Sequence, residues 1–229
     1  MIKAMMETGH TPVRMLILFP KVLWETKTSI VRRSAIRAIM RHPGFVTHLS
    51  GQGWPDWEAT KSVQDNADRL LPGCQAIFSY KPLGQPKRGV EPLVEPERFD
   101  GLRCESFNEC HDQSIIRDAV NVGTNLPILH LANSAKDWEG VQVRMLCHIA
   151  HCAEKSVFAA AARPWAERDI PVLLTGTLSP QVYQLRCRLA ELIRAGKIPG
   201  VIRQFPGNYL PNLEACDRQE REYAEMLGR

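Results

Sequence analysis

The apolar positions of this chain fall in short continuous runs, separated by stretches with helical spacing. Met15–Phe19 (MLILF) is apolar throughout, the pattern of a strand buried on both faces. Ser29 to Arg41 follows as a helix. Ile36, Ile39 and Met40 recur there at core spacing, and Arg33, Arg37 and Arg41 form the opposite stripe. His42-Pro43-Gly44 ends it. Phe45–Leu49 predicts a second strand, Ser62 to Leu71 a helix, and Ala76–Tyr80 a third strand. Beyond a Pro/Gly-rich loop from Lys81 to Pro96, the pattern predicts strand at Leu102–Phe107, helix at Gln113–Val122 and strand at Pro127–Leu131. Arg144–Ile149 is the last strand expected of this half. Strands and helices alternating in this way build βαβ units, hence an α/β fold: a Rossmann-like parallel sheet with helices on both faces.

The pattern then restarts. Ala159–Ala162 reads as a small-residue connector, and Asp169 to Leu174 as a buried strand. Ser179-Pro180 supplies an N-cap followed by proline at the first helical position. Leu185, Leu189, Leu192 and Ile193 give that helix one apolar face. Val201–Phe205 predicts another strand and Leu213–Leu227 a final helix. Two domains are expected, 14–158 and a partial second Rossmann-like domain at 163–229.

Composition narrows the class. The chain has 229 residues, 44% hydrophobic and 24% charged, ordinary values for a globular protein. No run reaches the ~18–20 apolar residues of a membrane helix, and no secretory pattern is read at the N-terminus. Seven scattered cysteines, an odd number, suit free thiols in a cytoplasmic setting. Net charge is only +4, too little to argue for nucleic acid. Its distribution is uneven. Arg14 to Arg41 holds seven Lys/Arg against Glu25, and Gly176 to Arg203 holds five against Glu191. Two basic segments, each after a strand, suit an anionic small ligand.

Candidate chemistry gathers at predicted strand ends, where open α/β sheets bind ligands. At Leu173 to Pro180 a strand runs into a glycine turn and a helix start, a ready anion site. Gly176 and Thr177 form the turn, and Arg186 adds charge. Glu105 and Glu109 end one strand and are candidate general bases. His130 ends the next, with Asp137 in the loop after it as an orienting partner. Cys147-His148-Ile149-Ala150-His151-Cys152 has zinc-type ligands, but on a strand they divide between two faces, so no metal is expected. His148 and His151 remain candidates for an interdomain cleft. Trp24, with Trp54 and Trp57, lies after a strand, placed to stack on a sugar or base. Neither a G-x-G-x-x-G fingerprint, a Walker loop nor a Gly-x-Ser-x-Gly elbow occurs.

Three segments carry a family resemblance. Arg168-Asp169-Ile170-Pro171-Val172-Leu173-Leu174-Thr175-Gly176 leads into Tyr183-Gln184-Leu185-Arg186-Cys187-Arg188-Leu189. This resembles the start of the C-terminal domain of GT-B glycosyltransferase-like proteins, the spore-maturation and family 1/family 4-type group. There an R-x-I-D-V-L-F-x-G strand precedes a Y-P-L-R-x-R-L helix. His148 to Phe158 is similar to the segment that ends the family's N-terminal domain, and Gln204 to Tyr209 to its H-P-G-Y stretch. The resemblance spans residues 14–225 and is clearer after 125. Gln184 and Ala150 stand where the family has proline.

The resemblance implies two Rossmann-like domains, with a nucleotide-diphosphate sugar held mainly by the second and an acceptor by the first. It implies sugar transfer to a glycan or other hydroxyl-bearing acceptor, with no cofactor beyond that co-substrate. By position, Gly176 and Thr177 match the turn near the donor diphosphate. Tyr183 and Arg186 match the helix motif. Family members continue well past the point reached by residue 229, so a truncated enzyme, or a partner chain completing the second domain, is expected. The alternative is a catalytically inactive GT-B-like protein that binds a nucleotide, a glycan or a partner.

Overall fold

A computed structural model describes residues 11–26, 30–79, 92–107, 113–129, 136, 138–143, 145, 147–148, 155–204 and 210–229. The chain divides into two compact units. Unit 1 comprises Met1–Trp24 and Val31–Cys152; unit 2 comprises Glu25–Ile30 and Ala153–Arg229.

Unit 1 is a six-stranded, all-parallel sheet in the order β2-β1-β3-β4-β5-β6. The strands are β1 (Val13–Leu18), β2 (Phe45–Ser50), β3 (Ala76–Ser79), β4 (Leu102–Phe107), β5 (Leu126–Leu129) and the short β6 (Cys147–His148). Helices α1 (Lys21–Thr26), α2 (Ile30–Arg41), α3 (Val63–Leu70) and α4 (Gln113–Asn121) connect them. The architecture is the Rossmann-like parallel sheet that the alternating pattern predicts. Its strand order reverses between β1 and β3, the switch point of a doubly wound sheet.

The run at Met15–Phe19 is buried throughout because alternate residues enter different cores. Met15, Ile17 and Phe19 join Leu23, Ile36, Phe78 and Cys104 on one face. Leu16 and Leu18 join Val63, Ala67, Ile77 and Phe99 on the other. The Ser62 hydroxyl caps α3 by accepting from the Asp65 N–H at 3.0 Å.

Two expectations need correction here. The core face of α2 is rotated from the one the spacing suggests: Ile36 is buried, but so are Arg33 and Ser34, while Met40 is 42% exposed. Ala35, Ile36 and Ile39 pack on the first core, and Met40 points away from it. The predicted connector around Ala159 belongs to a helix, α5 (Lys155–Ala161). Alanine is the strongest helix former, and small residues let α5 pack closely.

Unit 2 contains a two-stranded parallel sheet, β7 (Leu173–Gly176) beside β8 (Val201–Gln204), with α5, α6 (Gln184–Arg194) and α7 (Leu213–Gly228). Phe158 of α5 meets Tyr223 of α7 edge to face, with ring centroids 6.3 Å apart. Gly228 is required where the helices close: a Cβ there would lie 1.8 Å from the Ala161 carbonyl oxygen. Segment 25–30 belongs to this unit. The Leu210 N–H donates to the Thr26 carbonyl at 2.7 Å, and the Cys216 thiol approaches the Glu25 carbonyl at 3.7 Å. The expected buried strand begins later than Asp169, at Leu173, and all four residues of β7 are only half-buried. Among the described residues β7 pairs with β8 alone, so one edge carries no neighbouring strand.

No helix among the described residues is long and apolar enough to cross a membrane. Cys74, Cys104, Cys147, Cys187 and Cys216 are free thiols. Burial pushes the Cys104 thiol up to about 12, helped by the nearby Cys147 and Glu105. We therefore expect Cys104 to resist maleimide at neutral pH in the native chain, while half-buried Cys187 is labelled. Peptide mapping reads both, and labelling of Cys104 without denaturant would contradict the packing.

Candidate anion-binding site

The carboxyl end of β7 is where unit 2 changes from strand to helix. Leu173–Gly176 pairs with Val201–Gln204 in register, Thr175 opposite Arg203 and Gly176 opposite Gln204. The chain then turns sharply. Gly176 has φ +100°, a conformation that L side chains rarely adopt. A Cβ on Gly176 would also lie 3.1 Å from Nη1 of Arg186, so a side chain there would push the guanidinium aside.

Arg186 sits in the first turn of α6 and reaches back over this bend. Its Nη1 donates to the Thr177 carbonyl at 3.1 Å, and its guanidinium lies 4.3 Å from the centre of the Tyr183 ring. The ring fixes the direction of the guanidinium by cation–π attraction. The helix begins later than Ser179-Pro180 suggests. Ser179 to Val182 form a turn, in which the Tyr183 N–H donates to the Ser179 carbonyl at 2.7 Å. The Ser179 hydroxyl bonds to Gln181 at 3.2 Å instead of capping a helix. Tyr183 is the N-cap residue, and no side chain caps the first turn. The glycine turn therefore carries one guanidinium, from a helix whose first N–H groups no side chain caps, and positive charge of this kind attracts anions.

The other expected residues separate. Glu105 lies on β4 and is fully buried, 0% exposed, so it presents no carboxylate to solvent. Trp24 packs edge to face on Phe19, with centroids 6.1 Å apart, and carries the Arg37 guanidinium 5.8 Å from its ring. It lies against the first core of unit 1. His148 is the last residue of β6. His130, Glu109, Asp137 and His151 lie outside the described residues. Among the described residues no cluster of His, Cys, Asp and Glu could hold a metal ion.

One group in unit 1 was not singled out by the sequence. Asp56 accepts from Ser50 Oγ at 2.8 Å through one oxygen and lies 2.6 Å from His48 Nε2 through the other. His48 and Ser50 are two positions apart on β2 and so share a face. Asp56 returns to them after the turn at Gly51 to Gly53. The signal available was a polar i, i+2 pair ending a strand, followed by glycines and a carboxylate.

Compared with known proteins, the chain matches no family model, no curated protein and no solved structure.

Burial raises the Asp56 carboxyl, but hydrogen bonds from His48 and Ser50 and the charge of His48 outweigh it. The carboxyl ends below its ordinary value of 3.8. A depressed carboxylate stabilises the native state above its unfolded pKa, and that contribution is lost as pH falls through the folded value. Urea midpoints of the wild type and Asp56→Asn should therefore differ at neutral pH and converge only as pH falls below 3.8, through the lowered folded value. A constant separation across that range would contradict the assignment.

Proposed function

We propose that the chain is a glycosyltransferase of GT-B type, in which unit 2 holds the diphosphate of a nucleotide-sugar donor. The observation that carries this reading is the Gly176 turn with Arg186 folded over it. The doubly wound sheet of unit 1 and the resemblance over residues 14–225 support it. In the proposed reaction an acceptor oxygen bonds to the anomeric carbon of the sugar. The bond from that carbon to the diphosphate oxygen breaks. Negative charge gathers on the departing diphosphate, so donors aimed at it lower the barrier.

In this reading the N–H groups of the turn and of the first turn of α6 supply neutral donors, and Arg186 supplies the charge. Arg186 would leave the Thr177 carbonyl and swing to a phosphate oxygen, while Tyr183 limits how far its guanidinium can move. Gly176 keeps the backbone close enough for direct contact.

A catalytically silent GT-B-like binder is the second reading. The observation that favours it is the complete burial of Glu105, which withholds the one expected base among the described residues. Both readings need the nucleotide to bind, and release of nucleoside diphosphate separates them.

Calorimetric titration with UDP, GDP and their sugars tests the proposal. We expect saturable binding by one of them. Arg186→Ala should weaken it at least tenfold, about 1.4 kcal/mol. Gly176→Val should abolish it, because the side chain strains the turn and displaces Arg186. Absence of binding at millimolar nucleotide, or full affinity in both variants, would overturn the reading.

A further inference from the structure

Unit 2 holds an open cavity of about 460 Å³ at the amino end of β7, away from the Gly176 turn at its carboxyl end. Its floor is apolar. Ile170, Pro171 and Leu173 come from the approach to β7 and its first residue, and Met226 and Leu227 from the last turn of α7. The volume is that of a small-molecule site, and the whole lining belongs to one unit. Two contacts hold the walls together. Nε and Nη2 of Arg229 donate to the two carboxylate oxygens of Asp169 at 3.1 and 2.7 Å. The Ile170 N–H donates to the main-chain oxygen of Arg229 at 3.1 Å.

Local geometry builds the remaining wall. Trp165–Glu167 is a single 3-10 turn, in which the Arg168 N–H donates to the Trp165 carbonyl at 3.2 Å. Side chains three positions apart eclipse in such a turn. Arg168 is therefore carried over the indole, its guanidinium 5.1 Å from the ring centre, and its Nε donates to the Arg163 carbonyl at 3.3 Å. Trp165 is nonetheless 82% exposed, a large aromatic surface that gains from being covered. The charges decide what covers it. Arg229 stands at the negative end of α7 and is neutralised by Asp169. Arg168 differs, because among the described residues neither of its Nη atoms donates to a protein group. Among those residues no Asp or Glu side chain lines the cavity. A guanidinium fork beside an open indole and an apolar floor matches a flat ring that bears one carboxylate.

We propose that this cavity binds a small aromatic carboxylic acid. The ligand ring stacks on Trp165 and covers Leu173 and Met226, and its carboxylate accepts from Nη1 and Nη2 of Arg168. Burial of the ring supplies most of the affinity, and the charge-assisted hydrogen bonds select the acid over its neutral analogue. The site shares no residue with the Gly176 turn, so the inference stands apart from the donor reading.

The test uses NMR of the full chain labelled with 15N-tryptophan, and Trp165→Phe identifies its signal among the five indoles. Naphthoate is the probe. Naphthalenemethanol is its uncharged counterpart, and octanoate carries the charge without the ring. Naphthoate at millimolar concentration should shift the Trp165 signal saturably and leave the other indole signals unmoved. The alcohol and octanoate should each bind about tenfold more weakly. Arg168→Met should weaken naphthoate by about the same factor and leave the alcohol unchanged. No saturation with naphthoate would overturn the proposal. Equal affinity for the alcohol or for octanoate in the wild type, or full naphthoate affinity in Arg168→Met, would also overturn it. So would a Trp165 signal that moves with protein concentration alone, which assigns this face to a second copy of the chain. No nucleotide enters the experiment, so its outcome leaves the donor reading untouched.

Discussion

Because both faces of β1 are buried, a shift of one residue would exchange the contents of two cores, and the register of the strand is fixed. That register then determines where the neighbouring strands end. Val13 to Leu18 pair with Phe45 to Ser50 in β2, and Met15 to Leu18 pair with Ala76 to Ser79 in β3. Ser79 in turn lies beside Glu105 of β4. A row of Ser50, Leu18, Ser79 and Glu105 therefore crosses the sheet near its carboxyl end on one face, three of the four polar. Polar side chains so deep in a doubly wound sheet are costly unless hydrogen-bonded. The Ser50–Asp56–His48 group shows how one of them is satisfied, and the same contact orients an imidazole.

Unit 2 solves a different problem with less burial. Among the described residues its sheet has two strands, and β7 is half-buried where Met15 to Leu18 of β1 are buried. Its exposed apolar residues include Leu185 at 88% and Trp165 at 82%. Definition comes from close approach: Gly228 admits the Ala161 carbonyl, and Gly176 admits Arg186. At the second of these positions the local backbone and the local charge agree. The residue that the turn needs for its φ is also the one that leaves room for a guanidinium.

The sequence made the elements of unit 1 legible because its strands are continuous apolar runs and its turns carry Pro and Gly. Leu102–Phe107 is a strand at the predicted bounds. The rotation of α2 was not legible, since Arg33 and Met40 exchange roles only once the sheet beneath them is known. The start of α6 was hidden because Ser179-Pro180 has capping chemistry, yet its hydroxyl is drawn to Gln181. For the site, Gly176 and Arg186 could be marked separately; that the guanidinium folds back nine residues onto Thr177 depends on tertiary packing. His48 and Asp56 escaped notice because they stand eight positions apart, across the end of β2, and no motif links the two.

The central claim is that the turn after β7 receives a diphosphate, and a crystal structure of the chain soaked with UDP tests it most directly. The account predicts phosphate density against the backbone of Gly176 and Thr177, with the Arg186 guanidinium moved from the Thr177 carbonyl to a phosphate oxygen. Nucleotide density elsewhere, with Arg186 still bonded to Thr177, would contradict it.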